Sequence, residues 1–397
     1  MASTTNDRLT RATPFYTMNL VNSALFSILP GIYVVASLLY GLVFGAPKIN
    51  LVKTAQEESS SNPRRTAVIT GSNAGIGFAT ARQLVLHHNV DVMLACRSRD
   101  RAIQAAERIN AEAQVTPGVL SRAVFLHPCD LSSLASVRQF ATALKEKYDT
   151  LDILICNAGV NSSVVEGNRT VDDLELIFQC NVLGHFLLIQ LLLDLFPKES
   201  GRIVTLSSVA HHLVPSTASF DESYWRQLAE GSAGAIPVPY LGALIEDSVQ
   251  TYPPSKLAAL LLAVELNRRF YDSGDDKNTR QIRAFAVNPG AVASNIWRSF
   301  PWIAQMVMQR IFLSTDQGCA TTVAAAVGEH DKDVLYLQPY WLPGSSNNKA
   351  PFPVFEMMGP FVGYNVTQPR LPLDGGVFAA KSLWNVCEEK IIGCTKE

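Results

Sequence analysis

Thr70-Gly71-Ser72-Asn73-Ala74-Gly75-Ile76-Gly77 decides the fold. A short apolar run, Ala67-Val68-Ile69, leads into it, and a long amphipathic stretch, Ile76 to His88, leads out. That is the pattern of a strand turning sharply into a helix. Glycine lets backbone approach a ligand closely, and a helix start offers unpaired N–H donors and a partial positive charge, so such a turn suits a pyrophosphate. The spacing is G-x-x-x-G-x-G rather than the more familiar G-x-G-x-x-G. A tight turn without a ligand is the competing reading of the pattern alone. Its place in the first strand–helix unit favours the phosphate.

The alternation continues outward from this turn. Strands are expected at 92–95, 123–126, 151–156, 202–206 and 282–287, and helices at 102–113, 134–148, 171–195 and 255–271. Strand then helix, repeated, predicts an α/β fold, a Rossmann-like doubly wound parallel sheet in a single domain over residues 66–397. Val214 to Gln250 reads as an insertion rich in Pro, Gly and aromatics, among them Phe220, Tyr224, Trp225 and Tyr240. It is expected to be a substrate lid, with a passive surface excursion as the alternative. Residues 295–315 and 334–397 are expected to form a C-terminal substrate-cap extension. In the first of these, Ile296, Trp297, Phe300, Trp302, Met306 and Phe312 are too apolar for an ordinary exposed loop. They would cap a greasy pocket, dip into a membrane or pack into the core.

Toward the N-terminus, Glu57-Glu58-Ser59-Ser60-Ser61-Asn62-Pro63 marks residues 49–65 as a linker. Before it, no charged residue occurs over the 36 positions between Arg11 and Lys48. Ala24 to Ala46 would reach about 34 Å as a helix, against a hydrocarbon core of about 30 Å. Residues 1–48 are therefore read as an N-terminal membrane anchor. Pro30-Gly31 interrupts the span, leaving a kinked crossing and a shallow interfacial helix both open. A cleaved signal peptide is the alternative, although its apolar region usually runs only about 7–15 residues. Lys48, Lys53, Arg64 and Arg65 follow the span and outnumber Arg8 and Arg11 before it, which favours a cytosolic body. Sequons at Asn161, Asn168 and Asn365 point the other way but arise readily by chance.

The composition agrees with a large, unusually apolar chain. Of 397 residues, 48% are hydrophobic and 17% charged, and 33 basic against 35 acidic residues leave a net charge of −2. No basic footprint for nucleic acid is present. Seven cysteines, scattered and without a C-x-x-C pair, argue against a disulfide framework or a zinc site and for free thiols facing a reducing compartment.

Further motifs follow the glycine turn in order: Asp130-Leu131, Asn157-Ala158-Gly159, Asn181, Ser207-Ser208, Tyr252-Pro253-Pro254-Ser255-Lys256 and Asn288-Pro289-Gly290. Together they resemble the short-chain dehydrogenase/reductase family over residues 66–294. Ala95-Cys96-Arg97, Ser208-Val209-Ala210-His211-His212 and Leu383-Trp384-Asn385-Val386 look like its retinol dehydrogenase-like branch, whose members are often membrane-anchored. The resemblance implies hydride transfer between an alcohol and its aldehyde or ketone on a lipophilic substrate. It also implies an endoplasmic reticulum anchor with a cytosolic catalytic domain, and a homodimer. Retinoids, steroids, fatty aldehydes and specialised terpenoid or polyketide intermediates all remain open as substrates. By the same resemblance a nicotinamide cofactor lies on Gly71, Ser72, Asn73, Gly75, Ile76 and Gly77, on Arg97, Asp130, Leu131, Asn157, Ala158 and Gly159, and on Pro289, Gly290, Val292 and Ser294. Asp130 would sit beside the adenine and Asn157 beside its ribose. Tyr252 would be the general acid/base, with Ser208 on the same substrate oxygen. Lys256 would also hold the nicotinamide ribose, and Asn181 would position a water.

The residues carry their own argument. Tyr252 and Lys256 are four apart and share a face on a helix. Lowering a tyrosine from about 10 to near 7 needs about 4 kcal/mol, roughly what one charge at 4 Å supplies in a dielectric of 20. Lys256 is therefore expected to depress the Tyr252 pKa. Pro253 and Pro254 disfavour helical angles just before them, so Tyr252 is expected at the start of its helix, which loosens the shared face. Adjacent strand side chains point oppositely, so Ser207 is the alternative to Ser208. No acid stands at the end of the second strand, where Cys96-Arg97 occur, so NADP is expected over NAD. His211 and His212 are expected to line or support the pocket rather than hold a metal. A cofactor-binding membrane protein without turnover is the competing class, and it would gain if the prolines turned Tyr252 away from Ser208.

Overall fold

Strands Arg65–Thr70 (β1), Val90–Ala95 (β2), Ala123–Val124 (β3), Ile153–Cys156 (β4), Gly201–Leu206 (β5), Ile282–Val287 (β6), Tyr336–Pro339 (β7) and Tyr364–Thr367 (β8) form one sheet in the order β3-β2-β1-β4-β5-β6-β7-β8. The first seven run parallel, and β8 pairs antiparallel with β7. This computed structural model describes residues 64–161, 168–214, 218–232, 248–272, 280–294, 306, 312–332, 335–339, 364–367 and 371–393. The expected anchor, nearly all of the linker, residues 233–247 of the insertion and most of 295–311 lie outside them.

Parallel strands joined by helices are covered on both faces, which is why they read as unbroken apolar runs. Along β1, Ala67 and Ile69 face one core while Val68 faces the other. The first core is closed by Gly75–His88 (α1), Arg99–Val115 (α2) and Ala320–Val327 (α8), preceded by the short turn Thr315–Gly318 (α7). The second is closed by Leu134–Lys145 (α3), Leu176–Leu195 (α4), Ser248–Phe270 (α6) and Val377–Gly393 (α9). Glu222–Glu230 (α5) lies against α9. Long and apolar enough to cross a membrane, α4 is nevertheless mostly buried inside the molecule and is a core helix. A doubly wound α/β fold in a single domain results, as expected from the strand–helix alternation.

The departures from expectation are local. Helix α4 begins at Leu176 rather than 171, because Glu175 caps it, its carboxylate accepting the Phe178 N–H at 2.6 Å, and Asp173 just before it has a left-handed φ of 56°. At the sheet edge, β3 pairs only at Ala123 and Val124. Helix α6 starts at Ser248 and runs straight through Pro253 and Pro254, so Tyr252 sits inside it rather than at its start. Both prolines fall in its second turn, just past the four N-terminal positions whose N–H groups lack intrahelical partners.

The described part of the insertion packs one face of α5 into the body. Asp221 caps α5 by accepting the Tyr224 N–H at 2.9 Å, and Gly231 ends it at φ 68°. Trp225 is fully buried. Arg226 pairs with Glu389, Lys390 with Glu230, and Asn385 with Glu222, fastening α5 to α9. In the described part of 334–397, β7 and β8 extend the sheet and α9 packs on α6.

Candidate active site

The strand order reverses between β1 and β4, and a crevice opens there beyond their C-terminal ends. Thr70 at the end of β1 stitches the two sides together: its hydroxyl oxygen accepts the N–H groups of Asn157 and Ala158, each at 2.9 Å. The Asn157 side chain donates back to the Thr70 carbonyl at 2.7 Å. Gly71 and Gly75 take φ of 65° and 61°. A Cβ on Gly77 would lie 2.4 Å from Asn157 Nδ2 and 2.6 Å from the Gly71 carbonyl, so only glycine fits. Helix α1 starts here with no side-chain cap and no acid in its first turn, leaving its N-terminal donors to an anion.

Around this cradle stand the other expected cofactor residues. Arg97 is exposed just beyond β2. Asp130 is held in place, its carboxylate accepting from the Ser132 N–H at 3.0 Å and hydroxyl at 2.7 Å. Ser294 stands next to Gly75. Gly290 has a left-handed φ of 80° with its N–H on the Asn288 side chain, and Val292 bridges to Leu313. Two residues differ from a simple lining role. The Ser72 hydroxyl is buried and donates to the Ile69 carbonyl at 2.8 Å, and Leu131 is a core side chain packed under Gly184.

The second cluster lies on β5, α4 and α6. The Ser208 hydroxyl is hydrogen-bonded to the Tyr252 phenol and also accepts the Ala210 N–H at 3.2 Å. Ser207 turns the other way and donates to the Lys256 carbonyl at 2.8 Å, so Ser208 is the serine that meets Tyr252. Lys256 Nζ lies 5.5 Å from the centre of the Tyr252 ring and donates to the Leu206 carbonyl at 3.0 Å. A Cβ on Gly159 would come within 3.2 Å of Asn181 Oδ1 and 3.4 Å of Lys256 Nζ, so these three residues converge. The expected electrostatics are reversed. Burial pushes Tyr252 up to about 12, with Ser208 opposing, and pushes Lys256 down to about 8. Desolvation is the larger cause for the phenol and the cause of the ammonium's shift.

Both ends of the Asn181 side-chain amide are engaged. It accepts the Val160 N–H at 2.8 Å and donates to the Val160 carbonyl at 2.9 Å and the Ser255 hydroxyl at 3.0 Å. It sits in a widened π turn, Gln179–Leu183, within α4. Such turns expose a main-chain carbonyl and often mark functional sites. His211 Nδ1 lies 2.6 Å from the Ser208 carbonyl, and its ring stacks 4.0 Å from that of His212. Among the described residues no cluster of His, Cys, Asp or Glu is arranged to hold a metal.

Residues 65–219 match the profile of the short chain dehydrogenase family. Human polyprenol dehydrogenase is 31% identical over 274 residues, covering 67% of this chain and 73% of that one, and mouse retinol dehydrogenase 12 is 34% identical over 271 residues, covering 67% and 74%. The chain belongs to the short-chain dehydrogenase/reductase family. Human WW domain-containing oxidoreductase is 36% identical over 276 residues, but the chain spans only 59% of that relative. A solved structure of an uncharacterised protein from Mycobacterium Paratuberculosis shares the fold at a TM-score of 0.55 and 26% identity, covering 86% of this chain and 96% of that one.

Three residues of this chain escaped the sequence reading. Thr70 was quoted only as the head of the glycine turn, Ser255 only as part of the tyrosine motif, and His185 not at all. Ser255 is fully buried and donates to the Tyr252 carbonyl at 2.7 Å. A signal for His185 existed: it lies four residues after Asn181, on the same helix face, in an otherwise apolar run.

Proposed function

We propose that this protein is a membrane-anchored, NADP-dependent oxidoreductase that interconverts an alcohol and its aldehyde or ketone on a lipophilic substrate. The observation that carries the reading is the Ser208–Tyr252 hydrogen bond with Lys256 beside it, on the wall next to the glycine cradle. This constellation also speaks against a non-catalytic cofactor binder, since the prolines leave Tyr252 facing Ser208.

The residues present fit a dinucleotide: glycines where a Cβ would collide, an uncapped helix start, and a fixed Asp130 carboxylate. Arg97, exposed where no acid stands, suits a 2′-phosphate and so NADP over NAD. When bound, that cofactor would supply or accept the hydride. Tyr252, protonated throughout the neutral range, donates its phenolic proton to the carbonyl oxygen in reduction and takes it back in oxidation. Ser208 hydrogen-bonds the same oxygen and holds it within reach. Lys256 keeps its charge at pH 7 and stabilises the tyrosinate as it forms. The names of two relatives, a polyprenol dehydrogenase and a retinol dehydrogenase, support a lipophilic substrate, and the apolar segment Ala24 to Ala46 supports an anchor. Free thiols at all six described cysteines support a body in the cytosol.

Tyr252→Phe tests the assignment. NADPH affinity, read by fluorescence, is expected to persist, while turnover falls by about 10²–10⁴-fold. Undiminished turnover would remove Tyr252 as the proton donor.

A further inference from the structure

His185 is buried on α4, its two ring nitrogens engaged on opposite sides. Nε2 lies 2.8 Å from the Thr70 hydroxyl, and Nδ1 lies 3.1 Å from the Asn181 carbonyl, in the widened turn. The proton positions follow from counting. Thr70 Oγ1 has two lone pairs, and the N–H groups of Asn157 and Ala158 take both. Its one hydrogen has two acceptors in reach, His185 Nε2 at 2.8 Å and the Ile155 carbonyl at 3.4 Å, and the shorter contact wins. Nε2 is therefore an acceptor and Nδ1 carries the hydrogen. A carbonyl can only accept, so the Asn181 side of the ring demands the same tautomer.

The ring completes a longer path. Asn181 donates from its side chain to the Ser255 hydroxyl, and Ser255 donates to the Tyr252 carbonyl. Hydrogen bonds thus lead from Thr70, at the mouth of the cofactor turn, through His185 to the Asn181 main-chain carbonyl, and from the Asn181 side chain through Ser255 to the helix that carries Tyr252. We propose that His185, as a neutral Nδ1–H imidazole, is a positioning residue that fixes the cofactor turn against the Tyr252 helix. Burial, with a smaller push from Lys256, holds its pKa down to about 4 against the pull of the Asn181 carbonyl, so the ring stays neutral. A second ring proton at Nε2 would find both Thr70 lone pairs taken.

The turnover arm of the test rests on the oxidoreductase reading, and the spectroscopic arm does not. Full-length protein in detergent is compared with His185→Phe, His185→Asn, Thr70→Val and the His185→Phe/Thr70→Val double variant. His185→Phe is expected to lower kcat by about 10–100-fold through misalignment while NADPH affinity stays within about threefold. The double variant is expected to be no slower than Thr70→Val alone, since both changes cut one path. His185→Asn, which keeps a donor near the Asn181 carbonyl, is expected to recover part of the loss. Unchanged kcat, losses that multiply in the double variant, or no recovery with Asn would each overturn the proposal. If His185→Phe fails to fold, ¹⁵N spectra of the wild-type histidine rings decide: a bare Nε2 and protonated Nδ1 on His185 sustain it, and an Nε2–H or doubly protonated ring overturns it. Wild-type protein that turned over no carbonyl would remove the reaction while leaving this spectrum as the test of His185.

Discussion

At the scale of the residue, the site stores an unfavourable charge. Lys256 is driven down to about 8 by burial from an ordinary value of 10.5. Below pH 8 folded and unfolded chains both carry that proton, and the folded state bears the full desolvation cost. Between 8 and 10.5 the unfolded chain binds more protons, so the cost fades as pH rises. Lys256→Met is therefore expected to be more stable than wild type at pH 7, by about 2 kcal/mol once the lost bond to Leu206 is deducted. The gap should close as pH approaches 10.5, and turnover should be lost; urea unfolding across pH reads it, and a Met variant less stable at pH 7 contradicts it. Tyr252, Lys256 and Ser208 were legible because each stands in a motif whose spacing has a chemical reason. The direction of the Tyr252 pKa shift was not, because desolvation depends on what covers the phenol, and nothing in the local sequence reports that. His185 was hidden for a related reason: its partner Thr70 is 115 positions away.

At the scale of the element, the helices do more than cover the sheet. Trp384 on α9 meets Phe186 on α4 edge-on at 4.9 Å and lies under the Arg269 guanidinium of α6 at 4.1 Å. One nearly fully buried indole thus joins three helices, including the two that carry Asn181 and Tyr252. Trp384→Ala is expected to cost about 3–5 kcal/mol, read as a lowered unfolding midpoint. A midpoint unchanged from wild type would show that α9 is not needed to hold α4 and α6. Strand and helix order was legible from hydrophobic periodicity. Helix starts were read less well, since the apolar pattern does not show that Glu175 caps α4 or that α6 tolerates Pro253 and Pro254. The burial of Trp225 was not legible, because an aromatic-rich segment reads alike whether its tryptophan caps a pocket or, as Trp225 does, fills a core.

At the scale of the whole molecule, two apolar stretches have different fates. Helix α4 carries Gln179, Asn181, His185, Gln190 and Asp194 at intervals and is buried among its neighbours. Ala24 to Ala46 carries no charge and precedes the folded body. As an anchor, it should keep the full-length chain in the membrane pellet after an alkaline carbonate wash, and release into the supernatant would contradict it. The folded body contributes the crevice, formed where the sheet order reverses between β1 and β4. The central claim, proposed above, is that this crevice interconverts lipophilic alcohols and carbonyls with NADP(H). Detergent-solubilised full-length protein is assayed for NADPH and, in parallel, NADH consumption over long-chain aldehydes, retinal, steroid ketones and polar carbonyls. Turnover of lipophilic members with NADPH, slower with NADH and lost in Tyr252→Phe, is the result expected; no turnover across the panel by protein that still binds NADPH would contradict it.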